Sequence, residues 1–213
     1  MLRFLLLISF TLLAGCFDEY GWNQKLTVTV QTPEGPVSAS SVTRVTMTET
    51  DAFWVPHEAR GVQSRLEGEA VVLEVQPGKF LFVLLAGVDH LAAHTFPEFD
   101  GIRDFGDWAR AIQEHEGVGI VPPEKYPMMV MFEDISDPTS VRLVEPDDLE
   151  ARFGEGVRLQ EMTLTITDEV SDETISRVLP WLTVSPEAPI ISEVDPFDFS
   201  VAATLRVGDF IRG

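Results

Sequence analysis

Cysteine is all but missing from this 213-residue chain, which has one, Cys16. That excludes an intrachain disulfide, so the fold has to be held by a packed core. Positive charge is scarce too, with 15 Lys and Arg against 35 Asp and Glu and a formal net charge of −20. Nucleic acid and an anionic membrane surface both repel a domain of that sign, which excludes binding to either through charge. Beyond the first residues no apolar run is long enough to span a bilayer. The stretch from Lys79 to Val88 is far too short and reads as a strand buried on both faces. Catalytic motifs are lacking as well. There is no nucleophile elbow and no phosphate-binding loop, and Gly117-Val118-Gly119 lacks the third glycine of a dinucleotide loop. His57-Glu58 starts a zincin-like word, but Gly61 stands where the second histidine belongs.

What is present begins with a leader. Arg3 precedes an unbroken apolar and small-residue run from Phe4 to Gly15, the length of a signal-peptide h-region. Its end, Leu13-Ala14-Gly15-Cys16, resembles the lipobox of bacterial lipoproteins. The resemblance implies cleavage after Gly15, a diacylglyceryl thioether on Cys16, acylation of the new amino group with palmitate or a similar chain, and no other cofactor. Each buried methylene adds roughly 0.8 kcal/mol, so two or three chains make a lasting membrane tether. Alkylation also removes the lone thiol from disulfide exchange and from catalysis. Phe17 occupies the place of the inner-membrane retention Asp of enteric bacteria, which favours the outer membrane with the domain facing the periplasm. The expected partners are the membrane, through the lipid, and an envelope protein; nucleic acid is not among them.

The expected organisation is a signal peptide over 1–15, a lipidated tether over 16–24 and one exported domain over 25–213. Residues 17–24 would reach at most about 28 Å when extended, with Tyr20 and Trp22 suited to the membrane interface. Leu26, Val28 and Val30 alternate with Thr27, Thr29 and Gln31 and stop at Pro33-Glu34-Gly35-Pro36, a strand and a turn. A second strand is expected over 37–47, two short ones flanking Gly68 at 62–66 and 70–75, and, after Pro77-Gly78, the apolar strand at 79–86. This β-rich part, 25–88, reads as a sandwich or meander. Its stretch from Val28 to Gly35 loosely resembles transthyretin-like and carboxypeptidase-regulatory-like modules.

The remainder, 89–213, is mixed. Phe105, Trp108, Ala109 and Ile112 fall at helical spacing behind Asp104, a suitable N-cap, and the helix ends near Gly117. Further expectations are a strand over 128–132, a short helix over 146–153, and a half-buried strand in which Met162, Leu164 and Ile166 alternate with threonines. A helix starting at Ser171 with Ile175, Val178 and Leu179, and a last strand over 199–205, complete the reading. The fold class is therefore α+β, predominantly antiparallel β with a sandwich-like N-terminal half and two or three short helices in the C-terminal half. The blocks Asp137 to Val141, Val144 to Leu149, Phe153 to Leu159, Thr163 to Asp168 and Leu179 to Leu182 resemble a family of uncharacterised bacterial exported or lipid-anchored proteins. That resemblance implies a shared fold and no chemistry. Trp181 is expected in the core.

Among candidate ligand sets, Asp89, His90 and His94 come first. Histidines four apart share one helical face and could offer two nitrogens to zinc or copper, with Asp100 or Glu98 adding an oxygen. Thr95-Phe96-Pro97, however, would break such a helix at once. Asp100, Asp104 and Asp107 with Gly101 and Gly106 form an acidic stretch that fits no calcium-loop spacing. Asp134 with Asp137, Asp147 with Asp148 and Asp195 with Asp198 are better explained as turns and helix starts than as paired catalytic carboxylates. The reading favoured is a lipid-anchored envelope protein with a structural or binding role. The alternative is a metal-binding protein or metal-dependent hydrolase using His90, His94 and Asp100.

Overall fold

The computed structural model describes residues 18–50, 60–171, 174–182, 185–191 and 200–213. The leader, Cys16, the histidine of the zincin-like word and the pair Asp195 and Asp198 lie outside them. Strand β1 (Asp18–Thr32) alternates along its length: Trp22, Leu26, Val28 and Val30 are buried, while Asn23, Lys25, Thr27 and Thr29 face outward. A two-residue turn at Pro33-Glu34 leads into β2 (Gly35–Thr50), and the pairing runs from Thr32↔Gly35 to Asp18↔Glu49 without a slip. The Thr32 hydroxyl ties the turn by donating to Gly35 O at 2.8 Å. β3 (Gly61–Glu69) lies on the far side of β2. At Ala70 the chain leaves this sheet, and β4 (Val71–Gln76) and β5 (Lys79–Val83) start the second, joined by the turn at Pro77-Gly78.

Helices α1 (Leu91–Thr95) and α2 (Phe105–Gln113) follow, then β6 (Val118–Ile120), β7 (Met129–Phe132) and β8 (Val141–Val144). The chain ends with α3 (Leu149–Phe153), β9 (Arg158–Thr167), α4 (Ile175–Val178), α5 (Val201–Thr204) and β10 (Ile211–Arg212). Among the described residues the larger sheet has the order β10-β3-β2-β1-β9-β6 and the smaller β4-β5-β7-β8, with antiparallel neighbours throughout. The predominantly antiparallel α+β class read from the sequence is the observed one. Leu81, Phe82 and Val83 of β5 are all buried, as a strand covered on both faces requires. Phe82 meets Phe132 at 5.5 Å and Phe210 at 6.2 Å, both edge-on.

The N-terminal boundary is corrected. Residues 18–24, expected as tether, are the first half of β1. Tyr20 and Trp22 are therefore not interfacial anchors but buried residues, set edge-on against Phe105 at 5.7 Å and Trp108 at 5.9 Å in α2. Gln24 conceals this continuation, because a polar side chain interrupts the apolar series. It is fully buried and bonded through both its oxygen and its nitrogen: Trp22 Nε1 donates to its Oε1 at 3.1 Å, and its Nε2 donates to Val88 O at 2.7 Å. Those bonds remove the penalty of burying a primary amide.

Other local signals hold or yield for identifiable reasons. Asp104 caps α2 as expected, its Oδ1 accepting from Asp107 N at 2.9 Å. The helix expected over 146–153 forms only from Leu149, because Glu145 to Asp148 close a turn first, Asp148 N bonding Glu145 O at 2.9 Å. The strand expected over 199–205 is instead α5 from Val201 to Thr204, started by the Ser200 hydroxyl accepting from Ala203 N at 3.3 Å. There a serine N-cap outweighs the β-branched residue that follows it. Of the helix expected from Ser171, the described part is α4. Trp181 is half-buried, edge-on against Phe132 at 5.5 Å, with its Nε1 donating to Ile135 O at 2.9 Å.

β6 is an edge strand that the sequence reading lacked. Val118 and Ile120 face outward, and Gly119 presses on the end of α1. A Cβ at Gly119 would stand 2.7 Å from Phe96 Cε1 and 2.9 Å from Thr95 O, closer than atoms pack. Gly119→Ala is therefore expected to cost about 1–3 kcal/mol through overpacking. Urea unfolding should show the lowered midpoint, and hydrogen exchange should show faster amides over 118–120.

Candidate functional site

The sequence-derived candidates scatter. His90 closes the single turn Val88–His90 and His94 lies in α1; both are exposed. They border one depression of about 340 Å³, with Glu124 and Tyr126 across from them. Burial raises the Tyr126 pKa above its ordinary value. Asp100 does not join them, because the chain leaves α1 at the buried Phe96 and turns again over Pro97–Phe99. Among the described residues no three His, Cys, Asp or Glu side chains are placed to share a metal ion. The expected triplet of His90, His94 and Asp100 is accordingly not assembled.

Among the described residues the nearest approach to a nucleophilic relay is Ser64, Asp89 and His90. The Ser64 hydroxyl donates to Asp89 Oδ2, and His90 Nε2 lies 3.4 Å from that same oxygen. The carboxylate thus stands between serine and imidazole. Nucleophile activation needs the imidazole in the middle, in contact with the hydroxyl. This arrangement orders a strand against a turn and leaves Ser64 unactivated.

Other candidate acids are engaged by backbone amides or arginines: in α2 Asp104 is a cap, and Asp107 Oδ1 takes Arg110 Nη2 at 2.6 Å. Gly106 sits where a Cβ would stand 2.5 Å from Tyr20 Oη, which makes it a packing residue. Asp134 Oδ1 accepts from Ser136 N and Asp137 Oδ1 from Thr139 N, each at 2.9 Å, and Asp148 pairs with Arg152 at 2.9 Å. The Thr139 hydroxyl at 2.7 Å, helped by the Thr139 amide, holds the Asp137 carboxyl below its ordinary value.

Two features escaped the sequence reading. Glu69, 3% exposed, ends β3 with Oε2 accepting from Thr174 N at 2.7 Å and Ile175 N at 2.9 Å, so one carboxylate starts α4 from across the fold. A second depression, about 510 Å³, is lined by Ser64, Arg65, Arg206 and Arg212 among others. The only trace of it in the sequence is two arginines within the last eight residues of a strongly acidic chain. No family model, curated protein or solved structure matches the chain.

Two outcomes follow from these carboxylates. Glu69→Ala strands the buried Ile175 amide and frees the partly exposed Thr174 amide, and it should cost about 1–3 kcal/mol in urea unfolding, with Glu69→Gln losing less because it keeps an acceptor. Thr139→Val should raise the Asp137 pKa toward the ordinary carboxylate value in an NMR titration. The sign follows from linkage: a carboxyl held low in the folded state adds stability above its ordinary range and loses it as pH falls through the lowered value.

Proposed function

We propose that this chain is a lipid-anchored envelope protein, tethered through Cys16 and exposed to the periplasm, whose β-rich domain has a structural or binding role. The observation that carries the reading is the lipobox-like Leu13-Ala14-Gly15-Cys16 placed two residues before β1. With so little chain between lipid and strand, the domain would sit directly on the bilayer. Among the described residues no helix is long and apolar enough to cross a membrane, and the reading requires none. The acidic surface supports it as well, since repulsion from anionic headgroups leaves a tethered domain upright and accessible.

The binding role rests on the chemistry of the surface. Among the described residues no third ligand joins His90 and His94, Ser64 meets a carboxylate and not an imidazole, and Asp104, Asp134 and Asp137 serve as caps and turns. The larger sheet instead presents an outward face of Thr27, Thr29, Ser38, Ser40 and Thr163 with a polar, hydrogen-bonding character. It is the hydrated face of a half-buried antiparallel sheet, and its hydroxyls offer donors and acceptors to a partner.

Replacing Cys16 with Ser is expected to abolish metabolic labelling by a palmitate analogue and to leave the leader uncleaved in intact mass measurement. Label that persists on the Cys16→Ser chain would overturn the anchoring. Density-gradient separation of the two membranes should place the wild-type chain with the outer one.

A further inference from the structure

β10 covers only one end of β3. Ile211 pairs with Glu69 and Arg212 with Gly68, and the ladder begins where Ala70 N donates to Phe210 O at 2.8 Å. In an antiparallel ladder every second residue turns its amide and carbonyl to the same neighbour. The groups that serve β10 at Ala70 and Gly68 therefore recur at Leu66, Ser64 and Val62. Among the described residues the backbone from Val62 to Glu67 bonds to β2 alone, and Gly61 to Arg65 are all exposed. An open edge of this length is a template for another strand.

The space beside that edge is the depression of about 510 Å³, with β3 on one side and Arg206 to Arg212 on the other. Arg65, Arg206 and Arg212 line it together with two acids, Glu187 and Asp209, a positive excess in a chain of formal charge −20. Arg206 Nη1 donates to Glu187 O at 3.1 Å and Arg212 Nε to Gly208 O at 2.7 Å. Neutral carbonyls thus orient both guanidinium groups, and among the described residues neither forms an ion pair. Asp209, in the same wall, turns its Oδ2 to the Arg206 backbone amide at 2.8 Å. Arg65 does pair with Glu67 at 2.8 Å, but the two side chains are 69% and 41% exposed, a contact of little worth that a better-placed carboxylate can replace.

We infer that the open edge of β3 is the docking site of an extended, acidic segment of a partner protein, which adds to β3 along the line that β10 starts. Main-chain bonds to Val62, Ser64 and Leu66 supply affinity, and Arg65, Arg206 and Arg212 select carboxylates. A phospholipid headgroup would use the arginines and leave those amides and carbonyls unanswered, so a polypeptide is the better fit. The inference deepens the binding role proposed above and rests on it; the anchor enters only by setting where docking happens.

The test uses the full chain purified in detergent and a short fluorescent peptide alternating threonine and glutamate, read by anisotropy, with a threonine and lysine peptide as competitor. Saturable binding of the acidic peptide is expected, with no competition from the basic one. Ser64→Pro removes one outward amide without touching the β2 ladder and should weaken binding about tenfold. Ser64→Ala, which loses only the hydroxyl contact to Asp89, should bind as the parent does. Arg206→Gln combined with Arg212→Gln should weaken binding by a similar factor, and it carries the test if Ser64→Pro fails to give a folded circular dichroism spectrum. Equal binding of both peptides, binding unchanged in the arginine variant, or no binding of the acidic peptide would each overturn the inference. So would phosphatidylglycerol vesicles binding in its place, or a dimer of this chain that closes the same edge. The Cys16→Ser chain separates the two proposals, since it should lose its lipid label and still bind the peptide.

Discussion

The register of β1 is the constraint on which the other elements depend. β1 has β2 along one side and β9 along the other, so its alternation decides which side of the larger sheet is core. Val28 and Val30 are completely buried, and burying an aliphatic side chain of that size contributes roughly 1.5–3 kcal/mol. A slip by one residue would turn Lys25 and the hydroxyl or amide side chains of Asn23, Thr27, Thr29 and Gln31 inward, where an unpaired polar group costs about 1–3 kcal/mol or more. The two-residue turn fixes the register at one end. Gln24 fixes it nearer the other, because its amide is satisfied only when it faces Val88. From that strand hang α2, through Tyr20 and Trp22, and the turn that carries His90, through Gln24.

Charge acts in this fold as local glue. A chain with 35 acidic residues must find places for them, and many go where a backbone amide lacks a partner. Asp104 and Glu69 start helices, Asp134 and Asp137 close turns, and Asp209 caps the last single turn by accepting from the Arg206 amide. At Asp137 the bonds from Thr139 also hold the carboxyl below its ordinary value, which favours its charged form. Of the described histidines, His115 packs against Phe96 at 4.4 Å and Phe99 at 5.2 Å, while His90 and His94 are exposed beside one depression.

Legibility in the sequence followed the size of the local signal. β1, β9 and α2 were readable because several residues in a row obey one period, and a cap or turn ends each. β10 was not, since two residues have no period and Ile211-Arg212 becomes a strand only through the edge of β3. The tether failed for the opposite reason: a buried glutamine looks exposed until its partner 64 residues away is known. Of the candidate site, the break after α1 was foreseeable from Pro97. The assembly of Ser64, Arg65, Arg206 and Arg212 was not, because nothing local links β3 to the end of the chain.

The same register ties the proposed docking edge to the proposed anchor. Asp18, Glu49 and Val62 lie in one row across β1, β2 and β3. Two strand spacings are about 9–10 Å, so the open edge begins close beside the point where the chain enters the fold, two residues after Cys16. A partner strand laid along β3 would therefore lie near the bilayer and run away from it toward Gly68. Under the proposed anchoring, acidic residues over the rest of the surface would repel anionic headgroups even in a domain seated on the bilayer, and the arginines of the groove would stay free for an acidic strand of a partner protein.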